Sequence, residues 1–280
     1  MTTPAHLVLE RPVFRPTFGL ACRCDSTGRR VVDGLRVRVA AVAGPHQSPA
    51  VTAAAGPSGV HALHRLPVAG ATAAVVRIVD AAGRFLPTRL RCALPLPPTP
   101  GLNGPACVAG DVPLFLRPDQ PAPAGLFAVR AALWDATADA PAAFALLLLR
   151  EPGSGRLLGR GLADERGQVI AAIAPGEPID ADGAASPPLP QPAARRRWAL
   201  QVELRYDPLL ARHVDAGFGT RPTPEFQTWP DLCELLAQPV RPAFAGLASP
   251  PSPLGLAILR QGEPLVLAAD AGGLVVVHPA

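Results

Sequence analysis

Lysine is absent from the chain: all 26 basic residues are arginine. Its absence excludes Schiff-base catalysis, a phosphate-loop lysine and lysine-derived isopeptide crosslinks. A GC-rich coding bias accounts for it, in keeping with the abundance of Ala, Pro and Gly. Aromatic residues are only 5% of a chain that is 49% hydrophobic, so its cores must be built from Ala, Val and Leu. Long apolar runs are missing too. The longest uncharged one, Ala142–Leu149, falls far short of the roughly 20 residues a membrane helix needs. The opening residues, MTTPAHLVLERP, lack the basic start and apolar stretch of a secretory signal, and synthesis in the cytoplasm is the expectation. The five cysteines are an odd number in a chain that is not small, which argues against a secreted disulfide framework. The net charge of +4 is spread along the chain, so nucleic acid is not an expected partner.

What the chain has in plenty is proline and glycine, 36 and 26 residues. Proline interrupts helices and central ladders alike, so this composition favours many short strands joined by structured loops. Ala145–Pro178 is the clearest example. Leu146–Leu149 is an apolar run, Gly153-Ser154-Gly155 a turn, and Leu157-Leu158 resumes the run. Asp164–Gly167 turns again, and Val169–Ile173 closes at Pro175-Gly176. A fainter copy lies upstream. Phe18, Leu20, Cys22 and Cys24 alternate, Asp25–Gly28 turns, and Leu35, Val37 and Val39 alternate with Arg36 and Arg38. Gly56–Gly59 then turns into Val60–Leu66, and Val75–Val79 and Phe85–Leu90 flank a further turn.

The resulting division is an N-terminal arm at 1–12, a first module at 13–97, and a Pro/Gly-rich linker at 98–124 with an apolar island at Val112–Leu116. A second module follows at 125–208, with alternating Phe127, Val129, Ala131 and Leu133, and later Trp198, Leu200, Val202 and Leu204. The segment 209–280 holds one helix, expected at 229–238 behind a Thr228–Asp231 cap. Its apolar stretches Leu254–Leu259, Leu265–Ala268 and Leu274–Val277 are expected as strands, the last two as a hairpin, packed on the second module.

Reactive constellations are weak. His61 and His64 lie three apart on a strand and face opposite sides, which rules out a shared metal ion. Cys22 and Cys24 share a face and could meet Cys92 or Cys107. Buried thiols are the default there, a metal site or a disulfide the alternatives. Asp180-Ala-Asp182-Gly183 lacks the later ligands of a calcium loop and reads as an Asx turn. Gly153-Ser154-Gly155 is too short for a nucleophile elbow. Arg195, Arg196 and Arg197 precede Trp198, a combination able to present a cation–π or carboxylate-binding surface, against the plainer reading of a solvated loop end. His6, Leu7, Val8 and Leu9, between Pro4 and Pro12, suit pairing with another subunit's sheet edge or docking on their own domain. Together with Trp229 these are the candidate interaction residues. No catalytic, metal or cofactor site is expected, and the enzyme reading is poor.

At the repeated unit the sequence resembles a known family. EPGSGRLLGRGLADERGQVIAAIAPG (Glu151–Gly176) looks like the carboxypeptidase regulatory-like domain, a transthyretin-like sandwich, and Asp25–Val39 with Thr52–Pro67 matches it more loosely. The resemblance implies an all-β chain of tandem transthyretin-like/Ig-like β-sandwich modules, with one short helix near the C-terminus, and an accessory, binding or structural role. The H-x-x-E pair of the namesake peptidase is absent. FRPTFGLACRCDSTGRR (Phe14–Arg30), GPSGVHALHRLP (Gly56–Pro67) and VDAAGRFLPTRL (Val79–Leu90) are similar to proteins encoded with contractile, phage-tail-like injection particles. That implies a non-enzymatic subunit docking on sheath, tube, cap or baseplate neighbours, with homo-oligomers a further form of assembly. A carbohydrate- or ligand-binding sandwich without catalytic activity is the rival expectation.

Overall fold

The computed structural model describes residues 18–43, 46–63, 71–94, 111–174, 197–213, 229–245, 252–254, 256–260, 264–267 and 274–277. It is an all-β, sandwich-like fold with one short helix. The first module contains β1 (Phe18–Cys24), β2 (Leu35–Ala43), β3 (His46–Gln47), β4 (Val51–Thr52), β5 (Ala54–Ala55), β6 (Val60–Leu63), β7 (Ala73–Asp80), β8 (Thr88–Ala93) and β9 (Val112–Leu114). One sheet has the order β5-β6-β1-β9; the other has the order β3-β2-β7-β8, with β4 also on β2. The second module contains β10 (Phe127–Asp135), β11 (Ala140–Pro141), β12 (Leu146–Arg150), β13 (Leu157–Leu162), β14 (Gln168–Ile173) and β15 (Arg197–Arg205). After a 3-10 turn at Pro208–His213 come α1 (Leu232–Leu236), β16 (Val240–Arg241), β17 (Ala243–Ala245), β18 (Ser252–Pro253), β19 (Leu256–Arg260), β20 (Leu265–Leu267) and β21 (Leu274–Val277).

Alternation makes these strands. β1 buries Phe18, Leu20, Cys22 and Cys24, and β15 buries Trp198, Leu200, Val202 and Leu204. Both follow the period of two by which successive side chains leave a strand on opposite faces. β12 departs from it, because Leu146 to Leu149 are all buried. Leu147 and Leu149 face the core of the second module, while Leu146 and Leu148 join a core built mainly by the first.

The two modules repeat one pairing scheme. β1 pairs antiparallel with β6 and parallel with β9. β10 pairs antiparallel with β14 and parallel with β20 and β21. In the facing sheets β2 pairs with β7 and β7 with β8, as β12 pairs with β15 and β15 with β19. The internal repeat read from the sequence is therefore a repeat of topology.

Three expectations change. The apolar island of the linker is a strand of the first module: β9 adds to β1 in register Cys22↔Val112, and Leu116 bridges to Phe85. β20 and β21 form no hairpin among the described residues; they lie end to end against β10, at Val129–Ala131 and Ala132–Asp135. The helix expected at 229–238 is shorter, α1 alone, and within the expected Thr228–Asp231 cap it is Asp231 that caps it. Asp231 Oδ1 accepts from Cys233 N at 2.9 Å, and Glu234 Oε2 returns to Asp231 N at 3.1 Å. This reciprocal box starts the helix after Pro230. The strands of the C-terminal segment do pack on the second module, whereas Leu232 and Leu235 of α1 enter the first module's core. No helix among the described residues is long and apolar enough to cross a membrane.

Candidate functional site

The best-built polar feature lies where the modules meet. It begins at the GRG of β13. Gly159 and Gly161 face β14 so closely that a Cβ on Gly161 would stand 2.7 Å from the Ile170 carbonyl carbon. Only glycine allows that approach. Between them Arg160 points the other way, toward the first module. Its Nε donates to Asp25 at 3.0 Å and its Nη2 at 2.8 Å, and its guanidinium lies 5.5 Å from the centre of the Phe115 ring. Asp25 opens the turn after β1 and is 7% exposed in its side chain, Arg160 21%. A forked, largely desolvated pair of this kind fixes orientation as well as distance.

Apolar contact continues the junction. Trp229 packs edge-on against Phe144, ring centres 5.0 Å apart, a contact worth about 0.5–1.5 kcal/mol beyond its buried area. Gln238 Nε2 donates to Phe144 O and Leu235 O, both at 2.9 Å, while its Oε1 accepts from Asp207 N at 3.0 Å. Arg89 of β8 donates to Trp229 O at 3.3 Å. Thus α1 and its flanks tie β8 of the first module to the Phe144 turn of the second.

Other buried charges are likewise committed. Asp80 accepts from Arg84 N at 2.6 Å and from Arg84 Nε and Nη2 at 2.9 Å. Burial alone would raise its carboxyl pKa, but the Arg84 bonds outweigh burial and hold it below the usual range. Tyr206 donates to Asp135 Oδ2 at 3.0 Å, and Asp135 Oδ1 accepts from Thr137 N and Ala138 N. Burial first, and the Asp135 charge next, push the Tyr206 phenol up. These bonds close turns and pin sheets together.

The candidate residues fare differently. His6, Leu7, Val8, Leu9, Arg195 and Arg196 lie outside the described residues, as do His64, Cys107, Asp180 and Asp182. Arg197 opens β15, exposed and opposite Arg260. Trp198 is buried, 5.0 Å from the Phe127 ring. Neighbours on a strand face opposite ways, so Arg197 and Trp198 do not build one surface. Trp229 is a core residue at the junction. Ser154 donates to Glu151 at 2.6 Å inside an exposed turn. Cys22, Cys24 and Cys92 are free buried thiols; burial pushes Cys22 and Cys92 up to about 12. Cys233 is disulfide-bonded. His61 is buried beside Leu20, and neither ring nitrogen has a hydrogen-bond partner among the described residues. Among those residues no three His, Cys, Asp or Glu side chains group as metal ligands do.

The sequence reading missed the junction. Arg160 and Asp25 were legible as turn and strand residues, but nothing local announces a contact across 135 positions. No protein-family model matches the chain, and none of the curated proteins matches it.

Proposed function

We propose that the chain is a non-enzymatic structural or adaptor subunit of a contractile, phage-tail-like injection particle, made in the cytoplasm and docked on sheath, tube, cap or baseplate neighbours. The observation that carries the reading is the junction. Arg160 spans from one module to the Asp25 turn of the other, and a single apolar core takes in Leu146, Leu148, Ile170 and Trp229 with the strands of the first module. Two sandwiches that share a core and a desolvated ion pair keep a fixed relation to each other, which suits a subunit that holds its neighbours at a set distance. The resemblance of Phe14–Arg30, Gly56–Pro67 and Val79–Leu90 to proteins encoded with such particles supports the same role.

The test is recovery of the tagged protein from its native lysate, followed by sedimentation and mass spectrometry. Co-sedimentation with sheath and tube proteins in a very large particle is expected. A lone monomer in the soluble fraction overturns the reading. If the particle is found, deleting residues 1–12 asks whether the arm contributes to docking.

A further inference from the structure

Sheet edges are where a fold stands open to another strand, and several here are short or covered. β3 and β5 have two residues each, β9 carries Pro113, and β8 is bridged at Arg89 by Asp231. β19 is left without such cover. It pairs with β15 on one side, and no strand among the described residues pairs with it on the other. Its outward residues are Leu256, Ile258 and Arg260, the first two 63% and 46% exposed. Its inward residues are Ala257 and Leu259. Leu259 is buried, whereas Ala257 and the nearby Leu265 of β20 are only partly so. The core of the second module therefore has an open rim along this edge. Native proteins guard such edges with lysine, proline or a bulge. Leu256–Leu259 has none of these, and its register with β15 is unbroken.

At the end of the strand Arg260 stands directly opposite Arg197, and both are exposed. Neither has a carboxylate partner among the described residues. Like charges directly opposite one another destabilise a sheet, so the pair suits an acid brought from outside. The edge thus calls for an apolar strand that ends in a carboxylate. His6–Glu10, outside the described residues, has that sequence: HLVLE, bounded by Pro4 and Pro12, which cannot donate to a ladder. As a strand it keeps Glu10 out of the core only when His6 and Val8 face outward with it. Leu7 and Leu9 then face inward. Parallel pairing sets Val8 beside Ile258 and Glu10 beside Arg260, with Leu7 and Leu9 beside Ala257 and Leu259 at the open rim. The antiparallel arrangement with Val8 beside Ile258 puts Glu10 beside Leu256, away from both arginines. Charge selects the parallel one.

We propose that β19 receives His6–Glu10 of a neighbouring copy of this chain as an added parallel strand. Main-chain bonds supply the affinity, and the inward leucines and the Glu10 contact with Arg260 and Arg197 set the register. Reach favours a neighbour's arm over the chain's own. From Arg160 to Arg260 the sheet runs three strand spacings across and six residues along, about 25 Å. Phe18 lies a further strand length, about 23 Å, from Asp25 at the junction. Residues 11–17 link Glu10 to Phe18 over at most about 27 Å, short of that path. A second copy has no such tether. The inference goes beyond the particle reading and involves copies of this chain alone.

The experiment is sedimentation velocity on the purified full chain, on its variants Glu10→Arg and Arg260→Glu, and on an equal mixture of the two. Position 260 is exposed, so the fold accommodates the change, which circular dichroism checks. The wild type is expected to self-associate as its concentration rises. Each variant alone brings like charges together and should raise the dissociation constant about tenfold or more. Mixing should restore association, because each variant then meets a complementary arm or edge. Arg29→Glu, an exposed change elsewhere, should behave as the wild type. A wild type that stays monomeric overturns the proposal, and so do charge variants that associate as the wild type does. A mixture that associates no better than its parts overturns it too, since the arm then serves its own chain. Recovery of a particle from lysate tests a different claim, and its failure leaves this one standing.

Discussion

Alanine at position 161 puts a methyl carbon 2.7 Å from the Ile170 carbonyl carbon, 2.9 Å from a Val169 methyl and closer still to the Ile170 oxygen. Ordinary contact at such atoms begins near 3.4 Å. Two of the three obstacles are backbone, which no rotamer change can clear. β13 must therefore lift from β14 by about 1 Å, roughly the penetration to be relieved. Arg160 is carried with it, so the Asp25 pair stretches as well. Overpacking of a tight core costs about 1–3 kcal/mol, and the strained ion pair takes the expected loss to about 3 kcal/mol or more. That corresponds to a drop of roughly 6–12 °C in melting temperature for a chain of this size class. Gly159→Ala is the intermediate case, its Cβ meeting an Ile173 methyl at 2.5 Å that can rotate and Ala172 O at 3.0 Å that cannot. Gly153→Ala is the control: its φ is +82° with nothing within 4 Å, so only the left-handed backbone penalty of about 1–2 kcal/mol applies. Thermal unfolding followed by circular dichroism ranks the three. If Gly161→Ala melts with Gly153→Ala, the close approach of β13 to β14 is not what the glycine is for.

Asp25→Asn should cost about 2–4 kcal/mol in denaturant unfolding, discounted from a fully buried pair because Arg160 is 21% exposed. Asp25→Asn combined with Arg160→Leu should cost less than the two single losses added, since no charge is then left unpaired. Burial holds the His61 imidazole below its ordinary value of 6.5, so the unfolded chain binds the proton more readily. Stability is full above about pH 6.5 and falls as pH drops through the window beneath it, a slope that His61→Leu should remove in urea titrations at stepped pH. Alkylation of the denatured protein followed by peptide mass spectrometry should label Cys22, Cys24 and Cys92 before reduction and Cys233 only after it.

Period-two alternation carried most of the strand positions. It placed β1, β2, β10 and β15 because each has one apolar face, and Asp25–Gly28 was readable as a turn from its residue types. The same alternation puts Trp198 with Leu200 and Val202, so its burial was legible and at odds with a surface role. Trp229 stands two residues before the Asp231 cap, outside the helix, so helical spacing could not show its burial. What local pattern does not encode is pairing. β9 is Val-Pro-Leu in a proline-rich stretch, and its place beside β1 depends on a partner some ninety residues earlier. The outward side of Arg36 and Arg38 was visible, yet the row that Arg38 makes with Arg77 and Arg89 exists only once register is known.

Each module ends on the strand with which it began, and that has a consequence for synthesis. β10 emerges from the ribosome long before Leu274–Val277, which completes its ladder at Ala132–Asp135. Until then the nascent second module carries an unpaired run of backbone donors and acceptors, the kind of edge that recruits other chains. The first module, closed by β9 well before the midpoint, can finish early. It then offers the waiting strands Leu146, Leu148, Ile170 and Ala172 a finished surface to collapse onto. Domain order along the chain thus doubles as a chaperoning order, with the earlier sandwich sheltering the later one until its final strand arrives.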